Sequence, residues 1–225
     1  MQLDFGISFS SGERVKEEIL SRIPITLTIN IVSMILIFII SLYFGIKSAM
    51  KKESIFDKFT NQLSLLSFSM PSFYLALVLV LVFSIKFELF PIAGLHSVPN
   101  DGSFNYYLDF AWHLALPIFI IVFGGIGSLI LYIRALTIEI LKSDYIFFAR
   151  ARGLDNKKIL RYYILPNLYP PVITLLGLSL PGVIGGSVIL ETIFSIDGMG
   201  LPSPQPPQPS QSPVIHSYQY PAHSL

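Results

Sequence analysis

Over four stretches of this chain the apolar positions neither alternate nor recur every third or fourth residue. They run on. The stretches are IPITLTINIVSMILIFIISLYFGI (23–46), LSLLSFSMPSFYLALVLVLVFSI (63–85), FAWHLALPIFIIVFGGIGSLILYI (110–133) and VITLLGLSLPGVIGGSVILETIF (172–194), and Glu191 is the one charged residue in any of them. A bilayer core about 30 Å thick takes roughly 20 apolar residues at about 1.5 Å each. A soluble surface helix would break such runs with polar residues at every turn. The pattern therefore predicts an all-α, polytopic transmembrane helix bundle with four spans, a multi-pass protein of the cell membrane.

Polar positions collect between the runs, and their charges orient the bundle. The first loop (47–62) carries Lys47, Lys51, Lys52 and Lys58; the second (86–109) carries Lys86 with Glu88, Asp101 and Asp109. The third (134–171) carries Arg134, Lys142, Arg150, Arg152, Lys157, Lys158 and Arg161. Lys/Arg-rich loops stay in the cytoplasm, so loops one and three are expected inside, against anionic lipid headgroups. The second loop and both chain ends are expected outside.

That orientation makes residues 1–22 an external amphipathic segment with no signal-peptide pattern ahead of it. An upstream span missing from the chain is the better account of how it gets there, rather than insertion of the first span as a signal anchor. At the other end, LPSPQPPQPSQSPVIHSYQYPAHSL (201–225) has seven Pro, five Ser, four Gln and no charge. This composition reads as a disordered tail. Its abrupt start after SIDGMG suggests a non-native frameshift or fusion scar, with a Pro-rich recognition segment as the alternative.

Composition narrows the chemistry. The chain is 52% hydrophobic and 13% charged with no cysteine, so thiolate metal sites and disulfides are out of the question. A formal charge of +1 gives no basis for nucleic-acid binding. Paired aspartates, a Ser–His dyad or HExxH are missing from the spans, which argues against an intramembrane enzyme. No metal site is expected; His113 reads as an interfacial residue.

The informative stretch is YIFFARARGLDNKKILRYYILPNLYP (145–170). Ser143 or Asp144 can cap a short helix running to Arg152, which Gly153 ends in a left-handed conformation. Asp155 caps a second helix, with Ile159, Leu160, Tyr163 and Ile164 on one face and Lys157, Lys158 and Arg161 on the other. Pro166 is expected late in this helix or at its break, and Pro170–Pro171 are expected to prevent a smooth run into the next span. Tyr145, Ile146, Phe147 and Phe148 form an apolar cluster too short to cross a bilayer, so they need neighbouring spans or a partner protein to bury against.

FARARGLDNKKILRYYILPN resembles the EAA loop of binding-protein-dependent ABC importer permeases. That pattern reads EAA, three residues, Gly, nine residues, then I-x-L-P. Ala149, Gly153, Leu165 and Pro166 stand at matching positions, while Phe147 and Phe148 replace the Glu and first Ala, and Tyr163 replaces the Ile. ARARGL (149–154) is similar to the A-R-A-x-G-L of the dipeptide, oligopeptide and nickel branch. LDFGISFSSGERVKEEILSRIPITL, LSFSMPSFYLALVLVLVFSIKFELFPIAG and GGSVILETIFSIDGMG resemble further segments of that branch, so the likeness covers about residues 3–200.

This resemblance implies an inner-membrane permease domain over 23–200 with a cytoplasmic coupling loop at 142–168, and four spans of an expected six. It implies docking on an ATPase subunit through Tyr145, Phe148, Ala149, Arg150, Arg152, Gly153, Leu165 and Pro166. The implied partners are two ATPase subunits, a second homologous permease and an external substrate-binding protein. ATP and Mg would sit on the ATPase, because this chain has no GxxxxGK[ST] phosphate loop and is expected to bind no cofactor. Di- or oligopeptide is the first substrate expectation, ahead of nickel and oligosaccharide. Within the spans, Asn30, Ser69, Ser72, Thr174 and Ser179 are weak candidates for a translocation path. Gly124, Gly125 and Gly127, and Gly182, Gly185 and Gly186, are expected as close-packing strips. A four-span channel or scaffold, and a truncated product that does not assemble, stay open as alternatives.

Overall fold

The computed structural model describes residues 15–99, 101–185 and 188–196. The chain divides into two units, Met1–Ile19 with Pro202–Leu225, and Leu20–Leu201; the architecture below is that of the second. Residues 1–14 of the expected external segment and the expected tail lie outside the described residues.

All regular structure among the described residues is helical, in the order α1 (Val15–Met50), α2 (Ile55–Ser69), α3 (Ser72–Leu79), α4 (Phe104–Leu141), α5 (Asp144–Ala151), α6 (Asn156–Ile159), α7 (Leu165–Gly185) and α8 (Val188–Ile193). Three helical stretches are long and apolar enough to cross a membrane: Leu20–Met50, Phe104–Leu141 and Asn156–Gly182. A fourth crossing is built from a broken pair, Ile55–Ser69 and Ser72–Lys86, bent by 99°.

That bend corrects the continuous second span expected over 63–85. Pro71 disfavours helical backbone at the residue before it, and Met70 is extended (φ −90°, ψ 121°). Pro71 then serves as the N-cap of α3, where its missing N–H costs nothing. Past α3 the backbone widens into a π-helical turn over Val80–Lys86.

The fourth span also departs from expectation. The prolines at 166, 170 and 171 do not break it. Instead α6 passes through a π-helical turn (Leu160–Ile164) straight into α7, which contains Pro170, Pro171 and Pro181. A proline ring collides with the carbonyl four residues back in a regular helix, and the wider turn just ahead of Pro166 makes room for it. Side chains serve carbonyls of this region: Asn167 Nδ2 donates to Tyr163 O at 2.6 Å, and Thr174 Oγ1 donates to Pro170 O at 2.9 Å.

Two apolar cores hold the helices. One joins α1, α3, α4 and α8 around Ile29, Ala76, Ile120, Leu190 and Phe194. The other, toward the basic end, joins α1, α4, α5, α6 and α7 around Phe38, Ile46, Ile133, Ile146, Ile159, Ile164 and Leu168. Between α2 and α4 the contact is tight because Gly127 has no side chain: a Cβ there would collide with the Ser64 carbonyl and come within 2.8 Å of Phe68 N. Gly45 plays the same part between α1 and α4, where a Cβ would meet Ile133 Cγ2 at 2.8 Å. Thr26, Ser33, Ser41 and Ser48 are buried along one stripe of α1, as small residues are where membrane helices approach closely. Gly124 and Gly182, expected in packing strips, have open space at the Cβ position; Gly185 has no described side-chain environment and Gly186 lies outside the described residues. Many large apolar side chains point outward, among them Ile35, Ile39, Leu65, Leu77, Phe119 and Ile173, as a lipid-facing surface requires.

His113 packs within the protein. It is 5% exposed, with Nδ1 2.8 Å from the Asp109 carbonyl and Nε2 3.1 Å from Ser97 Oγ. Together with the Ser97 amide donating to Asp109 Oδ2 at 2.6 Å, it ties the loop before α4 to that helix.

Candidate functional site

The short helix α5 is built by the sequence features that foretold it. Ser143 occupies the N-cap position, though its hydroxyl donates back to Ile140 O at 2.6 Å rather than capping α5. Asp144 opens the first turn and Arg150 lies in the last, each sign complementing the helix dipole. At the other end Gly153 has φ +78°. Its N–H donates to Arg150 O at 2.9 Å and that of Leu154 to Ala149 O at 3.2 Å, the paired bonds of a Schellman cap. Asp155 then caps α6, accepting from Lys158 N at 3.0 Å.

One face of α5 is an anchor and the other is bare. Ile146 and Ala149 are 1% and 2% exposed, and Ile146 belongs to the basic-end core. Phe147 and Phe148 are 69% and 60% exposed, with Arg150, Arg152 and Gly153 exposed beside them. Tyr145 is 42% exposed and stacks on Tyr163 at 6.2 Å between ring centroids. Ala149 therefore stands on the inner face, where its small side chain brings the helix close to the bundle, and not on the outward surface expected for it. Leu165 is half-buried and Pro166 exposed at the start of α7, apart from the α5 face.

Of the residues expected along a translocation path, Asn30 and Ser179 come together. They line an open cleft of about 570 Å³ between α1, α4 and α7, along with Gly125, Ser128, Tyr132 and Gly182. Ser69, Ser72 and Thr174 are exposed elsewhere. Ser128 and Tyr132 are not marked by the sequence as path residues, yet Ile121, Gly125, Ser128 and Tyr132 recur at helical spacing on one face of α4. All of the side chains lining the cleft are uncharged.

A further feature escaped the sequence reading. Asp57, in the first turn of α2, is 2% exposed and grips Arg134 of α4. Arg134 Nε and Nη2 donate to its two oxygens at 2.7 and 2.8 Å. Ser48 and Asn61 side chains and the Glu53 amide also donate to the carboxylate. A bidentate pair of this kind fixes orientation as well as distance. It fastens the α1–α2 turn to α4 about two helical turns before that helix ends at Leu141.

The sequence from residue 37 to 222 matches the family of binding-protein-dependent transport system inner membrane components. The chain belongs to that family. It is 37% identical over 201 residues to the oligopeptide transport system permease protein AppB of Bacillus subtilis, covering 89% of this chain and 63% of that protein. It is 30% identical over 221 residues to the dipeptide transport system permease protein DppB of Escherichia coli, covering 89% and 64%. The peptidoglycan transport system permease protein YejB of Agrobacterium fabrum is 30% identical over 206 residues, covering 89% and 56%. The chain thus spans less than two thirds of the length of these curated relatives. By that family it is an inner-membrane component of a transport system. The family's matched region takes in the C-terminal part of α1, most of the residues lining the cleft, the Asp57–Arg134 pair and all of α5.

Proposed function

We propose that the chain is the permease subunit of an ATP-driven importer, with α5 as the element on which a separate ATPase subunit docks. The observation that carries this reading is the two-faced build of α5. Ile146 and Ala149 root it in the bundle, while Phe147, Phe148, Arg150 and Arg152 are left outward without a cover. Aromatic and arginine side chains are the usual energetic centres of protein interfaces. A helix rooted in this way moves as one body with α1, α4 and α7, so a push on α5 reaches the walls of the cleft. ATP and Mg belong to the ATPase; a second homologous permease and an external binding protein complete the assembly.

Peptide is the substrate class best supported. The relatives' names point to oligopeptides and dipeptides, and the cleft offers an amide at Asn30, hydroxyls at Ser128 and Ser179 and a phenol at Tyr132. Such groups match the donors and acceptors of a peptide backbone without demanding a side-chain charge.

Co-purification tests the reading. Tagged chain purified from its native host should capture an ATP-hydrolysing subunit and a second permease, and the double variant Phe147→Ala/Phe148→Ala should lose at least tenfold of the captured ATPase while inserting normally. Capture of copies of itself alone, or undiminished ATPase on the double variant, would overturn the assignment.

A further inference from the structure

A second concavity lies at the basic end, on the outer side of α1. It encloses about 670 Å³, inside the roughly 300–1,000 Å³ range of small-molecule sites. One wall is a single stripe of α1 that includes Ile39, Leu42, Tyr43 and Ile46; the opposite wall is Leu160 and Leu165, from the π-helical turn and the start of α7. Lys47 and Lys51 stand at its mouth with Asn156. Neither lysine makes an ion pair among the described residues; Lys47 Nζ instead donates to Tyr43 Oη at 2.7 Å and lies 4.7 Å from the Phe56 ring centroid.

The groove is apolar in depth and cationic at its rim. From Ile39 to Met50 it follows α1 for about 16 Å at about 1.5 Å per residue, close to half of a hydrocarbon core about 30 Å thick. Its length is thus that of one leaflet, and its charge lies at headgroup level on the side that the lysine bias assigns to the cytoplasm. We propose that this groove binds one anionic phospholipid, an acyl chain lying along the α1 wall and the phosphate held between Lys47 and Lys51. A protein segment in the same place would have to bring its own carboxylates to the lysines, whereas an anionic leaflet presents the complementary charge at that depth. Leu160 and Leu165 flank the turn that leads from α5 and α6 into α7, so the lipid lines that turn.

Native mass spectrometry of the full chain, released from nanodiscs of equal phosphatidylcholine and phosphatidylglycerol, tests this. One phosphatidylglycerol should be retained per chain. Each of Lys47→Gln and Lys51→Gln should lower the preference for it about fivefold, the equivalent of ~1 kcal/mol per cation. Arginine at both positions should restore it, Lys86→Gln should leave it unchanged, and Ile39→Trp should displace the lipid by filling the groove. Equal retention of the two lipids, retention indifferent to the lysines, or cross-linking of the groove to a second copy of the chain would each overturn the proposal.

Discussion

Gly153 shows how much one residue decides. Its φ of +78° lies where an L-side chain costs about 1–2 kcal/mol, and a Cβ there would meet nothing within 4 Å. Strain is therefore the whole penalty for alanine. Gly153→Ala should lower the melting temperature of the detergent-solubilised chain by a few degrees and leave partner capture largely intact. Gly153→Pro should abolish capture, because proline locks φ near −65° and removes the N–H that Arg150 O accepts; normal capture by the proline variant would show that the cap does not present α5. This glycine was legible because its requirement is local. The Asp57–Arg134 pair was not, since 77 residues separate the partners and only the packing of α2 on α4 brings them together. Arg134 looked like one more topology-setting cation. Its loss should be marked: removing one partner of a fully buried, hydrogen-bonded ion pair typically costs about 3–5 kcal/mol, and with the Arg134 side chain 21% exposed the cost here falls at the lower end. Asp57→Ala and Arg134→Ala should each destabilise the chain by that order in thermal unfolding, the double variant should cost less than their sum, and Arg134→Lys should restore only part because the two-pronged geometry is gone. Additive single losses would mean that the pair contributes no coupling.

At the scale of elements, hydrophobic runs found the spans because the bilayer imposes length and apolarity on any crossing helix. Breaks within them were harder to read, because proline acts through its surroundings. Pro71 follows an extended residue and splits a crossing into α2 and α3 at 99°; Pro166, Pro170 and Pro171 sit behind a π-helical turn and are absorbed. Nothing in the dipeptides themselves distinguishes the two cases. The two-faced character of α5 was likewise half visible. The sequence marked Tyr145 to Phe148 as apolar and in need of cover, but burial of Ile146 with Ala149 depends on where α1, α4, α6 and α7 stand. That division predicts two separable defects. Ile146→Ala removes a fully buried side chain and should cost about 2–5 kcal/mol, read as a lower melting temperature together with weaker ATPase capture. Substitutions on the outer face should weaken capture with the melting temperature unmoved. If Ile146→Ala leaves stability untouched, α5 is not rooted in the bundle and cannot relay a push.

Across Leu20–Leu201 the charges are spread unevenly in a way that the net charge hides. Lys47, Lys51, Lys52 and Lys58 in or beside the α1–α2 turn, and Arg150, Arg152, Lys157, Lys158 and Arg161 around α5 and α6, gather at one end; the loop between α3 and α4 holds Glu88, Asp101 and Asp109. The bias of basic residues toward the cytoplasm then assigns α5 to the compartment where ATP is made available and the α3–α4 loop to the opposite side. Both halves of the proposed mechanism need that orientation, and so does the lipid groove. The chain contains no cysteine, so a single introduced thiol reports its own position. In cells whose inner membrane is intact and whose outer face the reagent can reach, a membrane-impermeant maleimide should label Val98→Cys at once, and should label Lys157→Cys only after that membrane is breached; both side chains are exposed. Immediate labelling at 157 with protection at 98 would put α5 outside, beyond the reach of any ATP-hydrolysing partner, and the importer mechanism would have no drive.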